Sequence, residues 1–291
     1  MIHALRCTAH VTIFAALWVL TGSAVHAQIP PTPAARFCPA PGEAVAPAQN
    51  LSAPITPSVA AGMAAFSRRA YVQAYANLRP LADGNAEAAR DLGIMLRQSC
   101  GADKSAAAYW FQKAASDGDI PAAAALGNMQ MFGDGIPQDD SAASKLLTIA
   151  AIGGNSIAQT NLGELYFTGR GVAQDGYQGV VWSVRAGEQG EPVGLFHIGR
   201  EYANGRALPK DAEKALFFMA IGFQRLPVAR RSQFQPALEN MATQLSIESG
   251  NAVAQAARKW APAAGALSRV LADADTRRGN SGTPMPAAPA P

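Results

Sequence analysis

The sequence predicts an all-α chain whose body, residues 58–275, is a solenoid of stacked helical hairpins. Three observations carry that expectation. A Leu-Gly or Ile-Gly pair recurs at Leu92-Gly93, Leu126-Gly127, Leu162-Gly163 and Ile198-Gly199, with spacings of 34, 36 and 36 residues. Periods of this length mark repeats that bury their apolar faces only by stacking on one another. The corners also keep phase. Seven residues after each of the last three pairs begins, a glycine stands at 133, 169 and 205. Ten on there is a branched aliphatic (Ile136, Val172, Leu208), thirteen on an aspartate (Asp139, Asp175, Asp211), and twenty on a bulky apolar residue (Leu146, Trp182, Phe218). Between corners the apolar period is helical, and no alternating run is long enough to make a sheet.

Taken in chain order, residues 1–27 read as a secretory signal peptide. Arg6 supplies a basic start, Val11 to Leu20 (VTIFAALWVL) an apolar core, and Val25-His26-Ala27 the small residues for cleavage after Ala27. The apolar run is about half the roughly 20 residues a membrane span requires. The expected address is the periplasm or the exterior, with no stable membrane insertion once the signal is removed. Residues 28–57 are dense in Pro and Ala and lack any period, as an extended linker does.

The body follows. An opening hairpin is expected over 58–87 and repeats over about 88–121, 122–157, 158–193 and 194–226. Helices over 227–275 close the array, and a disordered tail covers 276–291. In each repeat the glycine after Leu or Ile clears space for the partner helix. The glycine seven on takes the left-handed conformation that ends a helix. The aliphatic folds the corner onto the core, and the aspartate caps the second helix. The first repeat is two residues shorter in the corner and returns to phase at Asp103, Trp110 and Gly118.

Gly169-Arg170-Gly171 superficially suggests a phosphate loop. Such a loop joins a strand to a helix and carries Lys and Ser/Thr after its last glycine. Here a helix precedes it, Val172 follows it, and Gly133-Asp134-Gly135 repeats it, so it reads as a turn.

The segment NLGELYFTGRGVAQDGYQGVVWSVRAGEQG (161–190) resembles the Sel1-like repeat, a relative of the tetratricopeptide repeat. It matches at Leu162, Gly163, Tyr166, Gly169, Gly171, Val172, Asp175, Trp182 and Gly190. The neighbouring copies match more loosely, with Gln130 for Tyr and Leu146 for Trp in one, and RQSCGAD in place of the glycine corner in the first. The resemblance implies a right-handed superhelix of antiparallel helix pairs acting as a scaffold for protein–protein contacts. Some cysteine-rich relatives are linked to penicillin binding and β-lactam hydrolysis, so a cell-wall (peptidoglycan or β-lactam) binding protein or enzyme is the alternative. The cysteine pair in each repeat that those relatives carry is missing here.

The composition points away from other classes. The formal charge of +3, which falls to +2 without Arg6, is too small to recommend nucleic acid as a partner. His197 is the only histidine beyond the signal segment. No nucleophile elbow or second ligand at metal spacing accompanies it. No catalytic residue, metal site or cofactor is therefore expected, and Asp134, Asp139 and Asp140 read as turn and cap residues. Cys38 and Cys100 remain after signal removal and form a candidate disulfide in an oxidising compartment.

What remains is surface. If position 0 (Leu or Ile), +4 and +7 of each first helix face the core, then −1, +2 and +5 face away from it. That row contains Asp91, Ile94, Arg97, Ala125, Asn128, Met131, Asn161, Glu164, Phe167, His197, Arg200 and Ala203. The expected partner is another envelope protein or an extended peptide bound along the concave face. Ile94, Met131 and Phe167 would anchor it, and Asn128, Asn161, Glu164, His197 and Arg200 would orient it.

Overall fold

The computed structural model describes residues 56–99, 102–261, 265 and 267–281. Thirteen helices and no strand lie among them. An opening pair, α1 (Val59–Ser67) and α2 (Tyr71–Leu78), leads into four longer pairs. These are α3 (Ala86–Gln98) with α4 (Lys104–Ser116), α5 (Ile120–Phe132) with α6 (Asp140–Ile152), α7 (Ser156–Thr168) with α8 (Gly176–Glu188), and α9 (Pro192–Asn204) with α10 (Ala212–Arg225). Then come α11 (Val228–Ala242), α12 (Ile247–Lys259) and α13 (Ser268–Ser281). The expected signal segment, Cys38, Cys100 and most of the expected linker lie outside the described residues. The last helix corrects the expected tail: residues 276–281 are helical, because Val270, Ala274 and Arg278 bury one stripe of α13 against the repeats.

Both ends of each hairpin are specified locally. Asp103, Asp139, Asp175 and Asp211 each accept a hydrogen bond from the free amide three residues on, at 2.9–3.1 Å. The first helices are capped the same way by Asn85, Asp119 and Asn155. A cap of this kind is worth roughly 1 kcal/mol. Gly133, Gly169 and Gly205 end the first helices in the left-handed region, at φ of 66°, 72° and 68°. Only glycine takes that region without a steric cost.

Within a hairpin, the glycine after Leu or Ile lies under the second helix. A Cβ at Gly163 would meet the Gly179 carbonyl at 3.1 Å, and one at Gly199 the Ala215 carbonyl at 2.7 Å. Between hairpins the first helices touch directly, α5 on α7 and α7 on α9. No comparable contact joins α6 to α8 or α8 to α10. First helices therefore line the inner side of the stack, and second helices splay on the outer side.

The seams between repeats all bring a corner close against the preceding second helix. The residue at +9 in a corner lies against the residue at +14, the first of the preceding repeat's second helix. A Cβ on Gly135 would overlap Lys104, and one on Gly171 would overlap the backbone of Asp140. In the last seam the assignment reverses: the corner carries Ala207, and the glycine is Gly176 at +14, whose Cβ would sit 2.9 Å from that of Ala207. At Gly171 the clash is with main chain, so only the corner itself can supply the glycine, whereas at Gly135 and Gly176 the clash is with a facing side chain.

Charge reinforces the same places. Asp134 receives Lys104 at 2.5 Å and Arg97 at 2.8 Å. In the next seam the signs invert, and Arg170 grips Asp140 through two nitrogens at 2.7 and 2.9 Å. Hydrogen bonds from Lys104 and Arg97 hold the Asp134 carboxyl below its usual range, and Arg170 does the same for Asp140. Both aspartates thus tie repeat to repeat, whereas Asp139 is the cap the sequence suggests.

This complementarity predicts a rescue. Gly176→Ala alone should destabilise the array by about 1–3 kcal/mol through overpacking. Adding Ala207→Gly should return most of that loss, measured as a double-mutant cycle in urea. Additive losses would refute the shared seam.

Candidate protein-binding surface

The expected recognition row sorts into buried and partly exposed members. Met131 is 3% exposed, Phe167 5% and His197 7%, so none of the three projects from the inner side. This corrects their expected role as anchors or orienting groups. For Met131 and Phe167 the cause is geometric. Position +5 lies in the wedge between a repeat's own second helix and the first helix of the next repeat. Met131 packs among Ala143, Leu147, Leu162 and Leu165. Phe167 fills the space left by Gly179, where a Cβ would meet its ring at 2.5 Å, and faces His197 edge-on at 6.2 Å. Ile94 is half-buried and packs against the N-terminal core, so it adds little free apolar surface.

Asn128, Asn161, Glu164 and Arg200 remain partly exposed, and the fold brings them together in pairs. Asn161 Nδ2 donates to Asn128 Oδ1 at 2.5 Å, joining α5 to α7. Arg200 Nη2 donates to Glu164 Oε2 at 2.6 Å, joining α7 to α9, and its guanidinium lies over the Phe167 ring at 5.5 Å. The ring quadrupole favours that placement of a cation. At the other end of the row Asp91 is buried and bound by Arg90, which also reaches Asp119, the cap of α5, at 2.9 Å. Burial raises the Asp91 carboxyl, with Arg90 opposing it. The sequence reading missed the Arg90, Arg97 and Arg170 bridges, although the opposite charges at matching repeat positions were visible in it.

His197 is held neutral. Burial, and then the Arg200 cation, push its pKa down to about 4, against a smaller opposite pull from Glu164 3.7 Å away. Its Nδ1 is buried without a hydrogen-bond partner. Among the described residues no cluster of His, Cys, Asp or Glu has the makings of a metal site. No helix among them is long and apolar enough to cross a membrane.

The fold and its paired inner row define a class: a helical-hairpin repeat solenoid that presents side chains from successive first helices. The family model for the Sel1 repeat matches residues 86–119, 120–155, 156–191 and 192–221, so four consecutive Sel1 repeats form the central part of the chain. Among solved structures, it is similar to a protective antigen present in uropathogenic Escherichia coli strains that displays the same repeat fold. Identity there is 21% over 76% of this chain, with a TM-score of 0.56. This chain spans only 46% of the length of that protein. It is also similar to a Sel1 repeat protein from Oxalobacter formigenes, at 21% identity, 77% of this chain, 98% of the other and a TM-score of 0.56. No curated protein sequence matches significantly.

The buried histidine generates a pH prediction. Its folded pKa, about 4, lies below the unfolded value of 6.5, so the unfolded chain takes up the proton first as pH falls. The stability that the neutral ring preserves is whole above pH 6.5 and drains away toward pH 4. Between pH 7.5 and 5 the wild type should lose about 2 kcal/mol of unfolding free energy more than His197→Gln does. Parallel losses in urea titrations would show that the ring is not held neutral.

Proposed function

We propose that this Sel1-like repeat scaffold is exported and binds an extended segment of another envelope protein along its inner side, as an adaptor or regulator without catalysis of its own. The observation that carries the reading is the Asn128–Asn161 pair. One amide uses its oxygen and the other its nitrogen, which leaves the Nδ2 of Asn128 and the Oδ1 of Asn161. A donor and an acceptor so arranged complement a peptide group, which offers one C=O and one N–H. Next along the row, the Glu164–Arg200 pair offers charge to a polar side chain. Its side chains are about a quarter exposed, so it orients a ligand more than it adds affinity.

Export rests on the basic start, apolar core and small-residue cleavage site of residues 1–27. Sequencing the N-terminus of protein from the periplasmic fraction should give Gln28. A start at Met1 would remove that part of the reading.

Binding is tested with a photo-crosslinker at position 164 in the intact envelope, followed by mass spectrometry. Asn128→Asp/Asn161→Asp keeps size, removes both Nδ2 donors and sets like charges together. It should lower recovery of the crosslinked protein at least tenfold while leaving the helical circular dichroism signal intact. Unchanged recovery would reject the inner row as the site.

A further inference from the structure

We propose that the outer groove between α8 and α10 is a second docking site, built for an amphipathic helix, that α13 occupies as a displaceable pseudo-ligand. Its natural competitor is a helix from a partner protein with small apolar residues on one stripe and a carboxylate placed like that of Asp273.

The seat is particular to this seam. α13 lies outside the four matched repeats and runs antiparallel to α8, its start near Gly187 and its end near Asp175 and Tyr177. Leu267, Val270 and Ala274 are almost fully buried there, while most of the remaining face of α13 is exposed. Leu267 fits because position 187 is glycine: a Cβ would lie 2.8 Å from Leu267 Cδ1. The corresponding residues of the two preceding repeats are Ala115 and Ala151. The floor under Leu267 is Leu195, where the previous repeat has Gln159, which donates to the Ala151 carbonyl. The rim residues Tyr177 and Lys214 replace Ser141 and Gln178. The previous seam therefore has neither the hole nor the apolar floor.

The groove also dictates what its occupant must carry. Tyr202 is buried, and its hydroxyl donates to Asp273 Oδ2 at 2.6 Å. Lys214 Nζ reaches the same oxygen at 2.6 Å. Removing the helix would strip the tyrosine of that acceptor and the lysine of its counter-charge, so an incoming helix must return a carboxylate. The Arg278 guanidinium lies over the Tyr177 ring at 4.6 Å and reaches Asp175 at 3.8 Å, and Arg277 donates to the Gly205 carbonyl at 3.1 Å. α13 thus rests on Leu267, Val270 and Ala274, with Leu271 partly buried beside them and Arg278 buried near its end, while the contacts of Asp273, Lys214 and Arg277 stay partly open to solvent, where such contacts add little.

The test uses the full chain. Val270→Glu weakens the cis helix without touching the groove. A fluorescein-labelled peptide of residues 267–281 should bind this variant at least tenfold more tightly than it binds wild type. Adding Gly187→Leu, which fills the Leu267 hole, should abolish the gain. Equal binding to wild type and Val270→Glu, or binding indifferent to Gly187→Leu, would overturn the proposal. So would dimerisation of Val270→Glu by exchange of α13, which would make a second copy the occupant. A measurement free of mutation accompanies it. In hydrogen exchange of the wild-type chain, the amides of α13 should exchange faster than those of α8; a single joint opening would show that α13 is an integral part of the stack.

Discussion

The structure depends on how closely one hairpin can approach the next. At each of the three seams between successive Sel1 repeats a corner residue meets the first turn of the preceding second helix, so closely that a Cβ added to the glycine there would collide with its neighbour. Where the corner holds glycine, the opposite residue is Lys104 or Asp140, and these same residues then reach Asp134 and Arg170 in the adjoining corner. Close approach and charge pairing are thus one arrangement. Backbones near enough to exclude a methyl group are near enough for short ion pairs, and the inner-row pairs Asn128–Asn161 and Glu164–Arg200 form across the same approach.

Much of this was legible before any coordinates. The periodic Leu-Gly pairs, the glycine at +7 and the aspartate at +13 each answer a local requirement, and local requirements show in a sequence at fixed offsets. The side chains at +5 were harder. A helix wheel assigns Phe167 and Met131 to the side opposite the core. In a stack, however, a first helix is covered by its own partner and by the next repeat as well, so more than half its circumference is buried. The signal that could have placed Phe167 was Gly179, a hole at a position where the neighbouring repeats carry Ala143 and Ala215. A large side chain and a missing one within the same hairpin are complementary volumes, and the wheel does not register volume.

The C-terminal helix was expected only as far as residue 275, and its last turns were missed for a different reason. Its apolar stripe, Leu267, Val270 and Ala274, is short, and the rest of the segment is polar enough to pass for a tail. Its order comes from partners far away in the chain, Tyr202, Lys214 and Gly187, and the repeat period does not link them to residues beyond the repeats. Differences from the neighbouring copies at 177, 187 and 195 are the trace it leaves. In an array, function is written where one copy differs from its siblings, because whatever all copies share serves the stack.

The reversal at Gly176 and Ala207 also bears on how such arrays grow. A unit with a glycine corner sits behind a second helix that opens on Lys104 or Asp140, whereas the one carrying Ala207 sits behind a second helix that begins with glycine. The modules are therefore not interchangeable beads. Moving the fourth behind the second would drive a methyl group into the Asp140 main chain, so this pair can be copied or lost by recombination only as a block.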